Sequence, residues 1–123
     1  VPEPLAFLRQ VPYLDLVVSA NILSQIGVGA RRQLEETRHA EPDAIVANLV
    51  NAHLDGIAAL PCRQILLTDT AYRIVDRQGE VLETTDLLAG VTPPQAVRAW
   101  SWPVAPYGEL GREYQAVHDV IAR

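Results

Sequence analysis

Two short apolar runs, Asp15-Leu16-Val17-Val18-Ser19-Ala20 and Gln64-Ile65-Leu66-Leu67-Thr68-Asp69, constrain this chain more than any other feature. Neither alternates cleanly between polar and apolar residues. That is the pattern of a strand buried on both faces of a parallel sheet. Between them, Asp43 to Leu60 carries Ile45, Val46, Leu49, Val50, Leu54, Ile57 and Leu60 at helical spacing, the clearest helix in the sequence. Pro42 suits a first helical position, and Pro61 closes the segment. Parallel strands cannot be joined by a tight turn and need a crossover, so the two runs and the helix predict a right-handed βαβ unit.

The rest of the chain is read around that unit. Val1 to Tyr13 is an opening segment punctuated by Pro2, Pro4 and Pro12, with one turn of helix near Leu5, Phe7 and Leu8. Ile22 to Ile26 predicts a first helical turn, Gly27 and Gly29 loosen the chain, and a polar helix runs from about Ala30 to Arg38. Tyr72-Arg73-Ile74-Val75 and Glu80-Val81-Leu82-Glu83-Thr84 flank Asp76 to Gly79 as a hairpin. Asp86 to Gly90 predicts a turn of helix, and Pro93-Pro94 a break. Ala96 to Val104 alternates, with Arg98, Trp100 and Trp102 on one face. Tyr114 to Ala122 alternates again, which suits an antiparallel pair at the end of the sheet.

The expected fold is therefore α/β. It is a Rossmann-like partial sheet of two parallel strands with a crossover helix, a β-hairpin and a C-terminal antiparallel strand pair, in three layers. At 123 residues the chain is one domain with one core. No Lys, Pro or inward charge blunts the strand around Val17, so it is expected to have neighbours on both sides. An N-terminal part of the same protein or a second chain would supply the missing one. The chain opens with Val1 and contains no Met, in keeping with a native protein that begins further upstream.

Composition excludes several classes. A net charge of −5, with Arg31-Arg32 as the only basic doublet, argues against a nucleic-acid binder. No apolar run approaches the roughly 18 residues that a membrane helix needs, and Glu3 and Arg9 interrupt any signal peptide. One cysteine, Cys62, cannot form an internal disulfide, so a reducing, cytoplasmic compartment is expected. The single Cys and the histidines at 39, 53 and 118 show no ligand spacing, and no metal is expected.

The stretch from Asp15 to Gln25, D-L-V-V-S-A-N-I-L-S-Q, resembles the region around the fourth strand of class I S-adenosylmethionine-dependent methyltransferases. The resemblance implies that this strand leads into a loop at the methionine end of the cofactor. A helix and a fifth strand, Ile65 to Asp69, then follow. Arg98 to Val104 and Tyr114 to Ala122 would be the sixth and seventh strands, paired antiparallel. The family's acidic, Gly-rich loop after its first strand and the acidic residue after its second have no counterpart. Gly27-Val28-Gly29 follows a helical turn rather than a strand and does not replace them. A hairpin also stands where many members have a helix between the fifth and sixth strands. The resemblance thus implies the distal half of a methyltransferase domain, transferring a methyl group from S-adenosylmethionine to a small-molecule acceptor. A non-catalytic α/β module that pairs through its exposed strand edge, in a homo-oligomer or with another chain, is the alternative.

Candidate site residues follow from the rule that ligands bind beyond the carboxyl ends of the strands. Asn21, with the Ser19-Ala20 backbone and Gln25 behind it, is expected at the cofactor; the competing role for Asn21 is a helix cap. Asp69 ends the second strand as a substrate ligand or general base, or else as a turn former. His53, on the apolar face of the long helix, is either a satisfied core residue or a catalytic group at the crevice. Tyr72 and Trp100 are candidates for substrate binding, with the Trp100–Trp102 pair covering the sheet as core in the competing reading. His118 reads as structural, His39 as a helix-end residue and Asp55 as solvated. Ser19, His53 and Asp69 invite a hydrolase triad, but no G-x-S-x-G elbow surrounds Ser19.

Overall fold

The computed structural model of the protein describes residues 3–38 and 40–123. His39 lies outside them. A 3-10 turn, Ala6–Gln10, precedes strand β1 (Leu16–Ala20). Helices α1 (Ile22–Glu36) and α2 (Pro42–Ala58) follow, then β2 (Arg63–Asp76), β3 (Val81–Asp86), β4 (Arg98–Ala105) and β5 (Tyr114–Ala122). They form one five-stranded open sheet in the order β1-β2-β5-β4. The first half of β2 pairs parallel with β1, and its second half pairs antiparallel with β3. Strand β5 lies antiparallel between β2 and β4. The chain is thus mixed α/β, with the expected parallel pair, hairpin and C-terminal antiparallel pair.

Three boundaries depart from the sequence reading. The residues from Ile22 onward form one continuous helix through Gly27 and Gly29, not a turn and a second helix. Gly27 is required by contact: a Cβ there would stand 2.9 Å from the carbonyl oxygen of Leu87. The runs around Leu66 and Ile74 are one strand of 14 residues, not two strands. The register shifts between Asp69 and Ala71, so Thr70 is the extra residue of a bulge. Asp86 to Gly90 is a turn rather than helix, held by the Asp86 carboxylate, which accepts from the N–H groups of Leu88 and Gly90.

Layering is the larger difference. Leu23 of α1, Val46, Val50 and Ile57 of α2, Leu66 of β2 and Leu88 make one buried cluster. Both helices therefore cover the face of the sheet that carries Leu66 and its partner Ser19. Residues one position away face the other side, where Leu16, Val18 and Ile65 are 49%, 50% and 43% exposed. The described residues form two layers, and no third layer covers the second face. Strand β1 is accordingly buried on one face, not both. Among the described residues it also has a partner, β2, along only one of its edges.

Candidate functional site

The junction between β1 and β2 is built around Asn21. Its backbone is left-handed, with φ of 58°, a conformation that asparagine tolerates better than most residues. Its N–H donates to Leu67 O at 2.7 Å, which extends the parallel ladder by one step. Its side chain makes no cap bond to α1, so the helix-cap role is corrected. Instead Oδ1 accepts from Ser24 Oγ at 3.2 Å and from the backbone N–H of Asp69 at 3.3 Å. The Asp69 N–H needs an acceptor, which fixes the amide orientation. Among the described residues the two Nδ2 hydrogens have no acceptor.

Beside this junction the uncovered face of the sheet holds a cavity of about 430 Å³, lined by Asn21, Leu67, Asp69, Trp100, Trp102 and Val120 among others. That is within the usual range for a small-molecule pocket, about 300–1,000 Å³. The pairing register gives two rows across this part of the sheet, and the cavity is lined by the first row and by Trp102 of the second, not by Tyr72 or His118. Asp69 is opposite Val120, which is opposite Trp100; Tyr72 is opposite His118, which is opposite Trp102. Paired residues point to the same face. A diagonal bond joins the rows: His118 Nδ1–H donates to Asp69 Oδ2 at 2.7 Å. Tyr72 stacks on the His118 ring, with centroids 5.4 Å apart. Trp100 and Trp102 remain 43% and 56% exposed, so they line the open face and do not form core.

The other expected catalytic residue is elsewhere. His53 is buried between α2 and the sheet, with Nε2 2.9 Å from Ser19 Oγ. Burial disfavours the charged imidazolium and lowers its pKa below 6.5. Ser19 is itself buried on that face. Ser19 and His53 therefore bond each other, while Asp69 bonds His118 on the opposite face, and the three do not form a triad. Of the residues expected at the crevice, the structure brings together Asn21, Asp69 and Trp100; Tyr72 reaches them only through His118 and itself lines a different cavity, against Gly27 and Val46 of the helices and Leu87. Ala20 is exposed beside them, opposite Leu67. The Ser19 side chain and His53 are separated from them by the sheet, and Gln25 is exposed on α1 without a contact to the group.

His118 is the residue that sequence reasoning undervalued. Its alternation with Ala116 and Val120 reads as core, and those two are buried. No local signal in the sequence finds it, because only the pairing of β5 with β2 and β4 sets it beside Asp69 and opposite Trp102.

Among the described residues, no group of three or more His, Cys, Asp or Glu side chains could hold a metal ion. No helix there is long and apolar enough to cross a membrane. Comparison with models of protein families, with curated proteins and with solved structures finds no match.

Proposed function

We propose that this chain is the distal half of a Rossmann-like, S-adenosylmethionine-dependent methyltransferase-like domain acting on a small molecule. The observation that carries the reading is the Asn21 junction. At the carboxyl end of β1, where its parallel pairing with β2 stops, Asn21 bridges both strands and opens onto the cavity that Asp69 and Trp100 line. Such ends are where open α/β sheets bind ligands. The strand–helix–strand order followed by an antiparallel pair supports it further.

In this reading the cofactor supplies an activated methyl group. The unpaired Nδ2 hydrogens of Asn21 hold a polar end of a ligand, and the aromatic residues position the acceptor. Catalysis is then mainly orientation and exclusion of water. His53 and Ser19 support β1 from behind and touch no ligand. Asp69 acts through His118 rather than as a free base.

Calorimetric titration with S-adenosylhomocysteine tests this, on the 123-residue chain and on the chain joined to any segment encoded ahead of Val1. Binding that Asn21→Leu weakens about tenfold or more, the loss of about one good hydrogen bond to a charged group, supports the reading. No binding to either protein ends it. The free edge of β1 favours a second reading, a non-catalytic module that pairs through that edge with a second copy or another chain. Light scattering that finds a monomer at every concentration would count against pairing with a copy.

A further inference from the structure

We infer that the cavity lined by Trp100 and Trp102 is a binding site for an alkylated ammonium ion, a small organic cation whose nitrogen is wrapped in methyl or methylene groups. Such a site goes beyond methyl transfer and does not depend on it.

The wall of the cavity favours positive charge. No Arg lines it and the chain contains no Lys, so no cation of the protein opposes a positive ligand there. Its one carboxylate is Asp69. Oδ2 accepts from His118 Nδ1 at 2.7 Å, and Oδ1 accepts no hydrogen bond among the described residues. A neutral imidazole satisfies Oδ2 without cancelling the negative charge. The Asp69 side chain is only 13% exposed, so its attraction for a cation is screened less than that of a surface carboxylate. Ser101 turns its hydroxyl away, donating to Asp119 at 3.1 Å.

The indoles then select among cations. Trp100 and Trp102 stand two residues apart on β4, on one face of the strand, and both line the cavity with their rings partly exposed. The face of an aromatic ring is negative and attracts a cation, most strongly for Trp. A compact ammonium ion is strongly hydrated and gives up water reluctantly. A nitrogen covered by methyl groups holds water weakly and also buries apolar surface against Leu67 and Val120. Asn21, with two unpaired Nδ2 hydrogens, supplies donors for an oxygen elsewhere on the same ligand.

Choline and 3,3-dimethylbutan-1-ol test this, because the alcohol has the same shape with carbon in place of nitrogen and carries no charge. Trp100 and Trp102 are the only tryptophans in the chain, so tryptophan fluorescence reports on this site alone. At about pH 8, above the ordinary range of histidine, choline should bind about tenfold more tightly than the alcohol, the scale of one or two cation–π contacts. Trp102→Leu keeps an apolar wall without the ring. It should lose most of the preference and still bind the alcohol, which shows that the cavity is intact. Asp69→Asn should weaken choline and leave the alcohol unchanged. A cation site is ruled out if choline gives no saturable change, if the two probes bind equally, or if the preference survives in both Trp100→Leu and Trp102→Leu. The two probes on the unaltered chain decide the matter even where a variant fails to fold. A preference for choline without S-adenosylhomocysteine binding keeps this site and discards methyl transfer, and the reverse result discards the site and keeps that reading.

Discussion

The two faces of the sheet each hold a histidine bonded to a side chain on a strand, and the two pairs have opposite fates. On the covered face, His53 meets Ser19 under two helices, and burial lowers its pKa. On the other side, His118 is half-buried and bonds Asp69, a carboxylate that lines the cavity. Residue type alone does not separate them. Their surroundings do: His53 is enclosed between helix and sheet against a hydroxyl, and His118 is only half-buried against a carboxylate.

The contrast is broken most sharply by truncating the core. Leu23, fully buried against α2 and Leu88, should cost about 2–5 kcal/mol of stability as Leu23→Ala, measured by urea unfolding. A loss below about 1 kcal/mol would mean that the covered face is loosely packed. Next, Gly27→Ala should destabilise by about 1–2 kcal/mol, because its Cβ meets a backbone carbonyl that cannot swing away. Gly29→Ala, two residues along the same helix with open space around it, should instead stabilise by about 0.5–1 kcal/mol. Equal effects would place the Leu87 loop away from α1.

The histidines themselves sharpen the comparison through pH. Because the folded pKa of His53 is lowered, the unfolded chain binds a proton that the folded chain does not. Its contribution is complete above 6.5, the unfolded value, and is lost as pH falls from there towards the lower folded value. His53→Gln should therefore flatten the fall of the urea midpoint below pH 6.5 relative to the unaltered chain. An unchanged slope would mean that His53 is hydrated. The smallest effect belongs to the open face: Trp102→Ala should change stability by less than about 1 kcal/mol, since little packing is lost. A larger loss would show that another element covers this face in solution.

Much of this arrangement is legible in the sequence. The apolar runs, the helix between them and the alternating C-terminal runs determine the order of elements, because their periods, apolar stretches and turn residues are local properties. They also place Asn21 at the carboxyl end of β1, but Asp69, read as the end of the second strand, lies in the middle of β2, which runs on to Asp76. Which face of the sheet is covered is a different matter. Alternation shows that Leu16 and Val18 share a side with each other and not with Ser19, but not on which side the helices lie. That is why β1 reads as doubly buried, the sheet as three layers and the indoles as core. The bulge at Thr70 is equally hidden. By simple alternation Asp69 and Tyr72, three residues apart, would face opposite ways. The extra residue shifts the phase and brings both to His118, a residue 49 positions beyond Asp69 in the chain. Only the long-range pairing of β2 with β5 decides that meeting, because register between distant strands is set by packing across the sheet and not by any local run of residues.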